Sequence, residues 1–379
     1  MILFYVQHLL GIGHLRRTLA IAEACQNAGT RVAVITGGMP IDLQQASPFP
    51  VHQLEPLQSA DLSFSSIVDR RGEPLNDVLE TVRTKELLRL FHDLQPKVLV
   101  TELFPFGRRR FRFELLPLLE AARAVKTPVL CSVRDSVQKR SKAREAETIG
   151  WLRDYYQRVL VHGEQEFLPL SDSFDEFDEI ADLVSYTGFV DTTSYSKPRG
   201  ESSLRRSREV LVSAGGGKAG ERLYLAAAQA SALSMHSDIV WRILAGASPD
   251  PDFVSRLRQM GSDTLTVEPN RADFRDLLSG CRLSVSQAGY NSVVDILSSG
   301  APALLVPFTG EGGETEQSAR AQHLLATQRA QVLPEADLDG PALAAAADSL
   351  LAQPPGSFAP VVCDGAERSA EALNAYLSS

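Results

Sequence analysis

The run "SVSQAGYNSVVD" sets a helical pattern directly behind an apolar strand and loads the junction with polar groups. Gly289 lets the chain turn off the strand. Asn291 and Ser292 then fall in the first helical turn, where free backbone N–H groups, an amide and a hydroxyl can converge on phosphate oxygens. Asp295 lies one turn deeper on nearly the same face, and its carboxylate can accept two hydrogen bonds from a ribose diol. The same residues also make an ordinary helix start, capped by Asn291 or Ser292, with Asp295 favouring the positive end of the helix.

Two other strand ends carry similar material. "VSAGGGKAG" places Gly215, Gly216 and Gly217 after an apolar run, a loop whose unobstructed N–H groups suit a phosphate and which serves equally as a tight turn. It is neither a Walker A loop nor a full GxGxxG fingerprint. "GIGHLRR" brings Gly13 and His14 to the start of a helix. An imidazole titrates near neutrality, so His14 could deprotonate a hydroxyl as it attacks an anomeric carbon; a histidine satisfied by backbone groups is the alternative. Arg16 at the third glycine position disfavours a dinucleotide site in this loop.

"TELFPFGRRRFRFELLP" interleaves Arg108, Arg109, Arg110 and Arg112 with Phe104, Phe106, Phe111 and Phe113. Guanidinium forks hold phosphate or carboxylate, and aromatics stack on sugars or lipids. An anionic acceptor, an anionic membrane surface and a solvated helix start all fit. Glu102 could pair with one of these arginines or act as a base, and Arg134 ends the next strand.

The elements that must position these loops alternate throughout. "ILFYV", "RVAVIT", "KVLVT", "PVLCSV", "RVLVHG" and "DLVSYTG" read as strands, separated by helices such as Leu15–Ala28, Asn76–Leu94 and Arg112–Ala124. Short continuous apolar runs between helices are the pattern of a parallel sheet covered on both faces. The alternation lapses in a Ser-rich stretch and restarts with "EVLVSAGGG", "DIVWRILAG", "DTLTVEP", "RLSVSQAG" and "APALLVPF". Residues 1–190 are expected to form one Rossmann-like domain and 209–355 a second. Residues 191–208 read as a linker, and 356–379 as a closing stretch with a helix over Gly365–Leu377 that packs back on the first domain.

With 379 residues, the chain exceeds what one hydrophobic core usually supports. Hydrophobic residues at 44% and charged ones at 22% belong to a soluble globular protein, and a net charge of -9 argues against general nucleic-acid binding. Cys25, Cys131, Cys281 and Cys363 are scattered without CxxC or nearby histidine pairs, a reduced cytosolic pattern with no metal site. The apolar N-terminus lacks the features of a signal peptide, and no run reaches membrane-spanning length.

"GYNSVVD…SSGAPALLVPF…ETEQSARAQHL" resembles the nucleotide-sugar signature of GT-B glycosyltransferases. The likeness runs to the MurG-like family of bacterial N-acetylglucosaminyltransferases and to the "HCGWNS…E" signature of small-molecule glucosyltransferases. It covers roughly Val212 to Ala321. The resemblance implies that Asn291 and Ser292 meet a diphosphate and that Asp295 holds the ribose. It also implies that Glu316 and Gln317 read the sugar hydroxyls and that Gly215, Gly216 and Gly217 face the diphosphate. Gln287 stands where these families carry His or Arg, and Asp295 replaces a longer Glu. A histidine in the first loop is the base of the small-molecule enzymes, which points to His14, with Glu102 behind it.

The expected fold is therefore α/β GT-B, two facing Rossmann-like domains with parallel sheets, donor in the second and acceptor in the first. The expected reaction moves a hexose or N-acetylhexosamine from a nucleotide diphosphate sugar, a UDP-sugar favoured, with inversion. It needs no metal, since helix N-termini and side-chain donors in these loops can neutralise the departing diphosphate, and no cofactor beyond the nucleotide-sugar co-substrate. Gly13, Arg108, Arg109 and Arg134 are expected to bind an anionic acceptor that is phosphorylated, carboxylated or lipid-linked. No nucleic-acid partner is expected, and the location is cytoplasmic with peripheral contact at the inner membrane face. A nucleotide-sugar 2-epimerase of the same fold and a non-catalytic nucleotide-sugar or glycan-binding protein are the rival readings, and an NAD enzyme a distant third.

Overall fold

The computed structural model describes residues 1–9, 11–41, 47–61, 66–192, 208–214, 220–246, 249–310, 315–354 and 358–377. The chain divides into two compact units: Met1–Tyr195 with Cys363–Ser379, and Ser196–Val362. Most of the expected linker, residues 193–207, lies outside the described residues.

The first unit opens with β1 (Ile2–Val6), α1 (Gly13–Asn27), β2 (Val32–Thr36) and β3 (Val51–Gln53). An antiparallel hairpin of β4 (Leu57–Ser59) and β5 (Ile67–Asp69) follows. Then come α2 (Asp77–Leu94), β6 (Val98–Glu102), α3 (Arg112–Ala124), β7 (Val129–Arg134), α4 (Lys142–Tyr155), β8 (Tyr156–His162) and β9 (Val184–Tyr186). Asn76 caps α2 by accepting from the Leu79 N–H, which fixes where that helix begins.

Seven of the strands form a wholly parallel sheet in the order β3-β2-β1-β6-β7-β8-β9. Both faces are covered, which is why "ILFYV" is apolar at every position. Leu3 and Tyr5 pack on one side with Leu87, Leu99 and Leu115. Ile2, Phe4 and Val6 point the other way and join Leu15, Leu19 and Leu373. The strand order reverses between β1 and β6, whose pairing sets Tyr5 opposite Thr101. Such a reversal opens a crevice beyond the strand ends, and ligands of doubly wound sheets sit there.

The second unit repeats the plan. It contains β10 (Glu209–Ser213), α5 (Glu221–Leu233), β11 (Val240–Leu244), α6 (Pro251–Met260), β12 (Leu265–Glu268) and α7 (Phe274–Gly280). After these come β13 (Leu283–Ser286), α8 (Tyr290–Ser299), β14 (Ala303–Leu305), α9 (Glu316–Ala326), β15 (Ala330–Val332) and α10 (Gly340–Leu351). Its six strands are parallel in the order β12-β11-β10-β13-β14-β15, with the reversal between β10 and β13. Val210, Val212 and Trp241 pack with α5 and α10 on one face, and Leu211 and Leu244 with Leu278 on the other.

The last helix, α11 (Gly365–Asn374), belongs to the first unit and lies against α1, with Ala366, Ala370 and Leu373 in the apolar cluster around Leu15 and Leu19. Among the described residues no helix is long and apolar enough to cross a membrane.

Candidate active site

In the first unit the chemistry gathers at the β1/β6 reversal. α1 starts at Gly13 behind Ile12, which supplies no side-chain cap, and its first turn holds no acid. His14 is the second residue of that helix and Glu102 the last of β6. Adjacent parallel strands carry the two together across 88 positions: His14 Nδ1 lies 2.7 Å from Glu102 Oε1. Arg17, three residues along α1, donates to the same oxygen at 2.6 Å. The arginine bonded to Glu102 is therefore Arg17, outside the Arg108–Arg112 run from which sequence reasoning drew its partner. Glu102 Oε2 is buried without a hydrogen bond among the described residues.

Burial pushes the His14 pKa down to about 4, against the opposing pull of Glu102. Burial drives Glu102 upward, but His14, Arg17 and Arg108 together outweigh it and hold the carboxyl at about 2. At neutral pH the pair is thus a neutral imidazole against an ionised carboxylate. The carboxylate can only accept, so Nδ1 carries the proton and Nε2 keeps its lone pair. His14 is 19% exposed and Glu102 1%, so only the imidazole can meet a solute.

The arginine-rich loop after β6 divides in two. Phe104, Phe106 and Phe111 are core residues, buried among Leu115, Leu118 and Val133, so these rings have no face left for a sugar or lipid. Arg109 lies 4.9 Å over the Trp151 ring and pairs with Glu147, which commits its guanidinium within the unit. Arg108 differs. It adopts a left-handed backbone (φ 58), as does Leu103 (φ 66) at the start of the loop. Its Nε is buried without a partner, and its guanidinium has no hydrogen bond or ion pair among the described residues. Burial, with Arg134 at the end of β7 and Arg17 nearby, presses its pKa down, while Glu102 pulls it up. His162, at the end of β8, is buried between Ser132 Oγ (2.7 Å) and Thr187 Oγ1 (2.8 Å) and fills a structural role.

In the second unit Gly289 is the N-cap of α8 with extended backbone (φ -62, ψ 152), and a Cβ there would meet nothing within 4 Å. The turn does not need a glycine; what the glycine leaves is room. Among the described residues no side chain caps α8. Asn291 and Ser292 are half-buried in its first turn, and neither side chain bonds to a described residue. The capped-helix alternative is therefore not how this helix begins. Asp295 is held by Arg275 of α7, whose Nη2 and Nε lie 2.7 and 3.1 Å from its Oδ1. Gln287 follows β13 and is half-buried. Gly215, Gly216 and Gly217 lie outside the described residues.

Glu316 and Gln317 open α9, and both are nearly buried. Glu316 pairs with Arg320 at 3.3 Å. Gln317 Oε1 accepts from the backbone N–H groups of Ala288 (3.0 Å) and Phe308 (3.1 Å). Sequence reasoning missed Arg17, Arg275 and Arg320. Arg17 was visible as a cation one turn after His14, whereas nothing local marked the other two.

Residues 210–372 match the glycosyltransferase family 28 C-terminal domain. A UDP-N-acetylglucosamine–N-acetylmuramyl-(pentapeptide) pyrophosphoryl-undecaprenol N-acetylglucosamine transferase of Leuconostoc mesenteroides is 32% identical over 109 residues, 29% of this chain and 30% of that protein. The chain thus aligns with less than a third of the curated relatives' length. Among solved structures, MurG of Acinetobacter baumannii superposes with a TM-score of 0.60 at 17% identity, covering 100% of this chain and 99% of that one. The spinosyn rhamnosyltransferase SpnG, complexed with thymidine diphosphate, gives 0.61 at 15% identity, covering 100% and 96%. The chain has the GT-B fold, and its residues 210–372 resemble the family 28 glycosyltransferase C-terminal domain.

Proposed function

We propose that the chain transfers a hexose or N-acetylhexosamine from a nucleoside-diphosphate sugar to an acceptor hydroxyl, with His14 as general base. The observation that carries this reading is the His14–Glu102 pair, 2.7 Å apart, with the imidazole partly open and the carboxylate buried. His14 Nε2 takes the acceptor proton as the oxygen bonds to the anomeric carbon. The bond from that carbon to the diphosphate oxygen breaks, and its electron pair leaves with the nucleoside diphosphate. Attack opposite the leaving group inverts the anomeric configuration. Glu102 orients the imidazole and stabilises the imidazolium that forms.

The donor half falls to the second unit. The uncapped N-terminus of α8, with Asn291 and Ser292, can neutralise a departing diphosphate, which makes the transfer metal-independent. The favoured nucleotide is UDP, because the Leuconostoc relative is named for a UDP-sugar donor. The acceptor carries negative charge: Arg108 is a partly buried cation with no hydrogen bond or ion pair among the described residues, held in a left-handed backbone. Such a group is retained where a ligand anion completes it. That relative's pyrophosphoryl-undecaprenol acceptor makes a lipid-linked phosphate the first class to try, at the inner face of the membrane.

A melting panel of UDP, TDP, GDP and ADP tests the donor site, and consumption of the matching UDP-sugar with lipid-linked acceptors tests transfer. One nucleoside diphosphate should raise the melt, and His14→Ala should keep that shift while losing transfer. A protein that none of the four stabilises would sink the reading.

A further inference from the structure

We infer that Gln317 and Arg320 are positioning residues that clamp Ala288 and so fix the loop leading into α8, and that the Gln317 oxygen sets diphosphate affinity rather than sugar choice. This rests on the α8 N-terminus being the diphosphate site of the proposed reaction.

β13 and β14 are neighbours, with Ser286 opposite Leu305, so the loops leaving them start side by side. α9 follows the second loop and returns its first turns to both. Gln317 Oε1 takes the Ala288 N–H at 3.0 Å and the Phe308 N–H at 3.1 Å, tying the two loops through one atom. From the next turn Arg320, fully buried, donates to the Ala288 carbonyl at 3.4 Å and to Glu316 Oε2 at 3.3 Å. The N–H and the C=O of one buried residue are therefore both held from α9. The residue after it is Gly289, the N-cap of α8. Holding Ala288 holds the direction in which the first-turn N–H groups point. Donors fixed before the ligand arrives need no reorganisation when charge develops.

The same geometry limits what Gln317 can read. An amide oxygen has two lone pairs, and both are occupied by backbone donors. A sugar hydroxyl finds no free acceptor on that oxygen, and only the amide NH2 is left to donate. Removing the oxygen strands two N–H groups in a nearly buried place, so the effect should reach any ligand of the loop, with or without a sugar.

The test measures dissociation constants of UDP and of UDP-N-acetylglucosamine by calorimetry for the wild type, Gln317→Ala and Gln317→Glu. Gln317→Ala should weaken both ligands about tenfold and equally, the loss expected when two backbone hydrogen bonds are broken. Gln317→Glu keeps an acceptor oxygen in place and should restore UDP binding to within about threefold of wild type without changing the ratio between the ligands. A sugar-reading role predicts the reverse, with UDP unchanged in both variants and the ratio altered. Should Gln317→Ala fail to fold, the ratio in Gln317→Glu still decides, and a changed ratio overturns the clamp. A wild type that binds UDP while both variants bind it equally well overturns the clamp alone. A wild type that binds neither ligand removes the donor reading, and the clamp with it.

Discussion

His14 Nδ1 and Arg17 Nη2 meet on a single oxygen of Glu102, at 2.7 and 2.6 Å. One carboxylate thereby does two jobs. It orients an imidazole that a solute can reach, and it neutralises a guanidinium that is almost fully buried.

Those jobs separate by mutation. Glu102→Ala takes the carboxylate away from buried Arg17 and should cost about 3 kcal/mol of stability, a typical penalty for breaking a buried ion pair. His14→Ala removes a partly exposed ring and should cost about 1 kcal/mol or less while abolishing transfer. Urea unfolding beside a transfer assay checks the contrast. Equal destabilisation by the two variants would mean that the pair is a structural brace.

The pair also fixes a pH dependence. His14 and His162 are held at about 4 and about 3, below the ordinary 6.5, and Glu102 at about 2, below its ordinary 4.5. Each group binds fewer protons folded than unfolded inside its window, so stability rises with pH there. The urea midpoint should be flat between about 6.5 and 8 and fall as pH drops towards 4 through the histidines, then further below 4.5 through Glu102. His14→Ala should flatten the upper part of that fall. The acid limb of kcat/KM should lie near the lowered His14 value, and a limb near 6.5 would contradict the buried pair.

Much of this was legible as residue types at strand ends. The switch-point loops follow "ILFYV" and "RLSVS", and α3 covers Arg112–Ala124 as its periodicity implied. What stayed hidden was partnership. Glu102 finds His14 because β1 and β6 are neighbours, and Asp295 finds Arg275 because α7 and α8 pack side by side. Neither adjacency is written locally. The interleaved aromatics misled for a physical reason: Phe104, Phe106 and Phe111 share one loop with the arginines but turn inward. β3 and β15 are three residues each, too short for a pattern of alternation to register.

Asp295 offers a test of base and sugar chemistry together. A carboxylate that holds a ribose diol makes two hydrogen bonds to UDP and one to TDP, whose deoxyribose lacks the 2′ hydroxyl. Asp295→Ala should therefore weaken UDP several-fold more than TDP, and Arg275→Ala should reproduce part of the effect by releasing the carboxylate. Equal losses for both nucleotides would place Asp295 away from the ribose.

The final helix gives the last expectation. Leu373 is fully buried, Ser369 bonds to Thr187 at 3.0 Å, and Arg368 pairs with Glu164 at 2.7 Å, so α11 is anchored to β8, β9 and the α1 face. Leu373→Ala should cost about 3 kcal/mol, as buried leucine truncations do. α1 carries His14 at its other end, so the loss should slow transfer as well as lower the melt. Because α11 belongs to the first unit and the proposed nucleotide site to the second, UDP affinity should stay within about twofold of wild type. Calorimetric titration of UDP into the variant decides. A large loss of affinity would show that the family 28 match, which runs on to residue 372, marks α11 as part of the donor site itself.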